Sequence, residues 1–146
     1  MWEKIEARVN GKKEEAAKQF KLGQYGEANK VYLSAAEQLE EALEDLPLFK
    51  KEISQLEASI FNNIAFCYGK DQHHRKEIEY TTKVLDRALY MDNASILVKA
   101  YLRRGLAYEH QEKYKLAAND LRRVREMEPY NKQAATALTR CLKYIE

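Results

Sequence analysis

Two cysteines, two prolines and five glycines in 146 residues leave this chain short of the usual means of crosslinking, breaking and bending a backbone. Cys67 and Cys141 form no Cys-x-x-Cys pair and have no histidine at a metal-ligand spacing. That argues against a disulfide framework or a zinc site and for reduced thiols filling a core, as in a cytoplasmic protein. The scarcity of glycine and proline argues against a loop-rich fold and favours helices joined by tight turns. Apolar and polar residues do not alternate as they do in strands. No apolar run approaches membrane-spanning length, and Met1-Trp2-Glu3-Lys4 lacks the apolar centre of a signal peptide. Charge of one sign is lacking too. At a formal net charge of +2, neither nucleic acid nor an anionic membrane is the expected partner. An electropositive site must come from local clustering.

What the chain does have is helix-forming residues: Ala, Leu, Glu, Lys, Arg and Gln dominate. With 45% hydrophobic and 33% charged residues it can bury a core and keep a solvated surface, as one domain. The punctuation predicts seven antiparallel helices, over about 3–22, 25–43, 49–68, 76–90, 94–111, 113–127 and from 131 to the end. Gly23 stops the first, Pro47 breaks the chain after the second, and the polar run from Gly69 to Arg75 ends the third. Met91-Asp-Asn-Ala supplies a turn and an N-cap for the fifth, and Glu128-Pro-Tyr closes the sixth.

Lys99 and Arg103 lie four residues apart on the fifth helix, so both cations share one face one turn apart. Leu102 and Leu106 give the same helix an apolar stripe. Such a helix buries one side and presents a fixed pair of cations suited to gripping a carboxylate; the plain alternative is a solvated face. Other features read as structural. His73 and His74 sit in an exposed polar turn with no further metal ligand. Gly11-Lys12-Lys13 lacks the strand, second glycine and Ser/Thr of a phosphate loop. Arg122, Arg123 and Arg125, and the acidic set Glu37, Glu40, Glu41, Glu44 and Asp45, read as solvated faces. Neither cysteine has the neighbours that activate a nucleophile. No catalytic residue, metal or cofactor is expected.

Seven helices with tight turns invite a search for repeats. Phe20-Lys-Leu-Gly-Gln-Tyr-Gly-Glu-Ala28, followed by Tyr32 and Ala35, parallels Tyr108-Glu-His-Gln-Glu-Lys-Tyr-Lys-Leu-Ala117, followed by Leu121, Val124 and Pro129. A middle unit runs from Ala65-Phe-Cys-Tyr68 through Ile78, Thr81 and Val84. Over nearly its whole length the chain resembles the tetratricopeptide-repeat (TPR) family. It departs from that family in the middle unit, with Glu77 where a small Ala is usual and His73-His74-Arg75 in place of a Gly-x-Tyr-like turn. The matching small residues Ala16, Ala65 and Gly105 stand 49 and 40 residues apart, against a nominal repeat of about 34. The extra residues are expected to lengthen helices around Pro47 and Leu89. The layout is similar to that of immunophilin-like heat-shock co-chaperones.

The resemblance implies an all-α, right-handed superhelical solenoid with a concave groove. It consists of a first repeat at about 9–46, a second at about 49–90, a third at about 94–129 and a capping helix at about 131–146. The carboxylate-clamp subset of the family binds the Glu-Glu-Val-Asp end of ninety- and seventy-kilodalton heat-shock chaperones. Carried over by position, Lys13 matches its first lysine, Asn63 its second-repeat asparagine, and Lys99 and Arg103 its third-repeat pair. Ala17 falls where an asparagine is usual, so that donor is missing. The resemblance implies that Lys13 and Asn63 hold the terminal carboxylate and that Lys99 and Arg103 hold the last side-chain carboxylate. Phe20 would shape the valine pocket, Lys70 would reach the upstream acid or the peptide backbone, and Phe66 would narrow the upstream apolar subsite. The expectation is a cytoplasmic, monomeric, non-enzymatic adaptor. The alternative is a scaffold module that takes a different peptide or helix within an assembly.

Overall fold

The computed structural model describes residues 1–145, which contain seven α-helices and no strand. These are α1 (Trp2–Lys21), α2 (Tyr25–Asp45), α3 (Lys50–Lys70), α4 (His74–Leu85), α5 (Ala94–His110), α6 (Tyr114–Met127) and α7 (Lys132–Leu142). Each helix packs against the next, making the pairs α1/α2, α3/α4 and α5/α6 with α7 laid on α6. Since α3 also touches α5, the odd-numbered helices share one side of the stack. Among the described residues, no helix is long and apolar enough to cross a membrane.

The three turns within the pairs have the same geometry. Gly23, Gln72 and Glu112 have φ of 77°, 61° and 61°, each two residues before the next helix begins. The following amide reaches back over the turn: Gln24 to the Gln19 carbonyl at 3.0 Å, His73 to Tyr68 at 2.9 Å and Lys113 to Tyr108 at 2.9 Å. Only the first turn uses the residue that adopts this left-handed backbone without a steric cost. Polar caps start α5 and α7: Asn93 Oδ1 accepts from the Ser95 amide at 2.8 Å, and Asn131 Oδ1 from the Ala134 amide at 2.9 Å.

Within the outer pairs the helices cross at small residues. Ala16 and Ala28 are fully buried in the first, Ala117 in the third. A Cβ placed on Gly105 would lie 3.0 Å from the Leu121 side chain, so α5 and α6 approach as closely as glycine permits. The core divides in two. One part lies under α1–α4 around Leu39, Ile53, Ile60 and Ile64. The other lies under α5–α7 around Leu121, Val124, Leu138 and Cys141. Both cysteines are buried and free.

The fourth helix differs from its expectation. It starts at His74 and ends at Leu85, and a 3₁₀ turn (Ala88–Tyr90) replaces its last turn. The extra residues around Leu89 therefore make a link instead of a longer helix. Arg87 explains the stop. Its guanidinium turns back to the Lys83 carbonyl at 3.1 Å and to the buried Glu57 carboxylate at 3.1 Å. Gln55 then holds the link by donating to the Tyr90 carbonyl at 2.8 Å. Around Pro47 the expected lengthening does occur, with α2 and α3 of 21 residues each joined by a second 3₁₀ turn. The closing helix stops at Leu142.

The two cores are tied by Arg104, which forms two 2.7 Å bonds to Asp120 and a 3.1 Å bond to Thr82. Asp120 is only 4% exposed and Arg104 is partly buried, so removing the carboxylate leaves a partly buried guanidinium without its counter-charge. Asp120→Ala is expected to lower the unfolding free energy by about 3 kcal/mol in urea titration. Glu112→Gly, which relieves a left-handed backbone at an exposed turn, is expected to raise it by about 1 kcal/mol in the same assay.

Candidate functional site

Helical spacing sets the side chains of this surface. On α1, Lys13, Ala17 and Phe20 recur at i, i+4 and i+7; on α3, Asn63, Phe66 and Lys70 recur at i, i+3 and i+7. Lys99 and Arg103 follow on α5. Two clefts result. The smaller, about 180 Å³, is lined by Ala17, Phe20, Lys21, Tyr32, Asn63 and Phe66. The larger, about 340 Å³, has Phe66, Lys70, Lys99 and Arg103 in its wall, with Glu77 and Leu106. The structure thus brings Ala17, Phe20 and Asn63 together on one side of Phe66, and Lys70, Lys99 and Arg103 on the other.

Phe66 is the divider. Its ring stacks on Phe20 with centroids 5.0 Å apart. The Arg103 guanidinium lies 4.4 Å from the same ring, and the Lys70 ammonium 5.2 Å. Lys13 lines neither cleft. Its ammonium crosses from α1 to α3 and donates to Ser59 Oγ at 2.9 Å, one turn before Asn63. Burial lowers the Lys13 pKa. Burial also lowers that of Arg103, against the opposing charges of Glu77 and Cys67. Arg103 is further held by a 3.2 Å bond from Nη1 to the Asn62 carbonyl. Lys99 is exposed.

The adjacent asparagines divide their work. Asn62 donates to the Ile96 carbonyl at 3.1 Å, tying α3 to α5, whereas Asn63 is left to line the smaller cleft. Ala17 lies in that cleft and offers no donor.

The expectation of an exposed polar turn fails for His74. It is the first residue of α4 and is half-buried; its Nδ1 lies 3.1 Å from Glu77 Oε1, and its ring stacks on His110 at 4.5 Å. The cause is Gly69, where a Cβ would collide with the Glu77 carboxylate. Gly69 stands four residues after Ala65, as Phe20 stands after Ala16 and Glu109 after Gly105. The middle pair has therefore exchanged a large residue at one position and a small residue at another for a glycine and a glutamate. That exchange is visible in the sequence, but only by comparing the three units position by position. Sequence reasoning also missed Ser59 and His110, which carry no motif, and read Tyr32 only as a packing residue of the first repeat, whereas it also lines the smaller cleft.

Chemically the surface presents cations beside aromatic and apolar walls, which suits an anionic chain. It does not suit covalent catalysis at Cys67: burial pushes that thiol up to about 11. Among the described residues, no group of three or more His, Cys, Asp or Glu side chains could hold a metal ion.

No family model matches the chain. A peptidyl-prolyl cis-trans isomerase D of Kluyveromyces lactis is 31% identical over 134 residues, 89% of this chain. This chain spans only 35% of that relative's length. Among solved structures, the TPR domain of Arabidopsis OM64 is 28% identical, covers 97% of this chain and 98% of its own, and superposes with a TM-score of 0.75. The first TPR of Spaghetti (RPAP3), bound to the HSP90 peptide SRMEEVD, is 25% identical, covers 94% of each chain and has a TM-score of 0.70.

Burial raises the Glu77 pKa, against the hydrogen bond from His74 and the charges of His74, Arg103 and His110. An acid whose folded pKa is raised holds its proton longer in the folded state than in the unfolded one. Stability contributed through it is therefore greatest below the ordinary glutamate range and falls as pH rises through the folded value, by about 1.4 kcal/mol per unit of elevation. Glu77→Gln is expected to remove this fall, which urea titrations between pH 4 and pH 7 measure.

Proposed function

We propose that this chain, a TPR domain in fold, is an adaptor that captures the acidic C-terminal end of a cytoplasmic heat-shock chaperone. The observation that carries the reading is the grouping of Asn63 and Lys70 of α3 with Lys99 and Arg103 of α5 around Phe66, with Lys13 of α1 bonded to Ser59 one turn before Asn63. The Spaghetti domain, similar in fold and bound to a peptide ending Glu-Glu-Val-Asp, supports it.

In this reading the terminal carboxylate sits between Lys13 and Asn63, with the valine side chain against Phe20 in the smaller cleft. The last side-chain carboxylate takes a forked bond from Arg103 and a point charge from Lys99. Lys70 meets an acid further upstream. Each charge-assisted bond contributes roughly 1.5–3 kcal/mol. Ordering of a flexible tail offsets part of that, which gives an affinity of about micromolar. The missing donor at Ala17 costs around 1 kcal/mol relative to a complete clamp. The partly dehydrated Lys13 and Arg103 favour an anion more than solvated cations would, because their field is less screened. Recognition makes and breaks no bond. The three repeats and the closing helix act as one binding unit, and the domain has no enzymatic role of its own.

Calorimetric titration with Met-Glu-Glu-Val-Asp as free acid and as C-terminal amide is the direct test. The free acid is expected to bind at least tenfold tighter, and equal binding refutes terminal-carboxylate capture. Arg103→Ala is expected to weaken the free acid by roughly 1.5–3 kcal/mol. Lys99→Ala is expected to lose less, with a loss that shrinks as salt rises, because Lys99 is exposed. Parental affinity in both variants would remove the assignment of the groove.

A further inference from the structure

Alanine at position 17 takes one donor away from the smaller cleft, and a different residue is placed to supply it. The walls of that cleft are Ala17, Phe20 and Lys21 of α1, Tyr32 of α2, and Asn63 and Phe66 of α3. Ala17 and the two phenylalanines offer no side-chain donor, and Lys21 is exposed to solvent. Asn63 and Tyr32 remain as neutral donors, contributed by different helices. Tyr32 is only 5% exposed, so nearly all of its ring is packed in the first core. A tyrosine buried to this extent ordinarily finds a partner for its hydroxyl. Here the hydroxyl has none among the described residues, and it is not one of the polar atoms sealed from solvent without a partner, so a ligand in the cleft can reach it. Burial, and after it the neighbouring Cys67, raises the Tyr32 pKa, which keeps the hydroxyl protonated, and therefore a donor, at neutral pH. Cys67 stands one turn after Asn63, so the hydroxyl lies beside the part of α3 that carries this amide.

We propose that Tyr32 is a further binding residue of this site, whose hydroxyl donates to the terminal carboxylate of the captured chain in place of the donor absent at Ala17. The inference rests on the adaptor reading. In that reading Lys13 and Asn63 hold the terminal carboxylate, and Lys13 already spends one of its three donors on Ser59. A carboxylate offers about four acceptor sites, so it has room for a further donor. A side chain longer than alanine at position 17 would occupy the same cleft. The residue that withholds a donor therefore also leaves the space through which a carboxylate approaches Tyr32. A hydroxyl meeting a carboxylate makes a short, charge-assisted bond. Lys21 does not replace it, because a solvated ammonium is screened and holds no fixed direction.

Phenylalanine differs from tyrosine by one oxygen atom, so Tyr32→Phe isolates the hydroxyl. The parent, Tyr32→Phe, Ala17→Asn and the double variant are titrated with Met-Glu-Glu-Val-Asp as free acid and as C-terminal amide. Tyr32→Phe is expected to weaken the free acid by about tenfold and to leave the amide unchanged. Ala17→Asn is expected to strengthen the free acid more in the Tyr32→Phe background than in the parent, by a further factor of about three. In the parent, isotope-labelled at the tyrosine Cζ, the Tyr32 resonance is expected to move on addition of the free acid and to stay on addition of the amide; this measurement needs no variant to fold. Equal losses of free acid and amide in Tyr32→Phe mark a packing role and overturn the proposal. Parental free-acid affinity in Tyr32→Phe, or a Tyr32 resonance that does not respond to the free acid, overturns it too, and a free-acid preference kept by the parent then leaves the adaptor reading standing. Equal gains from Ala17→Asn in both backgrounds overturn the claim that one donor stands in for the other. A parent that binds free acid and amide alike refutes the adaptor reading and this inference together.

Discussion

The close crossing of paired helices is the constraint on which the rest of this structure depends. Backbones approach only where a side chain is small: at Ala16 and Ala28 in the first pair, and at Gly105 and Ala117 in the third. These contacts set the spacing of α1, α3 and α5, and with it the distance between cations on different helices. The middle pair meets the constraint differently. It places Glu77 at the crossing and removes the side chain of residue 69 to make room. A structural irregularity has thereby put a mostly buried carboxylate in the wall of a cleft whose other charged walls are basic.

Phe66 organises the surface built on that spacing. One ring takes Phe20 on a neighbouring helix and the Arg103 guanidinium on another, so a single residue joins α1, α3 and α5 and separates two clefts. The aromatic contact also orients Arg103, which the Asn62 carbonyl holds from a second direction. A guanidinium fixed in this way loses little freedom when it binds an anion. Lys13 is similarly pre-placed by Ser59. The exposed Lys99 is the counterexample, a mobile charge whose influence salt can screen.

Desolvation acts on both signs of charge here. Burial lowers the pKa of Lys13 and Arg103 and raises that of Glu77. Each group is held in surroundings less polar than water, where the field of its charge is less screened. The burial that favours folding lies in the two apolar cores, which Arg104 links through Asp120 and Thr82.

Much of the architecture was legible from residue order, because helices are local. Gly23, Pro47, Asn93 and Asn131 mark turns and caps through backbone chemistry that involves only near neighbours. The i, i+4 spacing of Lys99 and Arg103 likewise puts them on one face of any helix. Resemblance to a family then selected Lys13 and Asn63 as their companions. What residue order could not supply was everything that depends on long-range approach. The early stop of α4 rests on Arg87 meeting Glu57 thirty residues away. The roles of Asn62 and Asn63 separate only once Ile96 is in place beside one of them. His74 looked like part of a solvated turn until Gly69 let Glu77 reach it and His110 covered its ring. Sequence alone settled the number and order of the helices and which of their faces carry charge. Tertiary structure alone decided which of those charges lose their water, because desolvation depends on neighbours that only packing brings near.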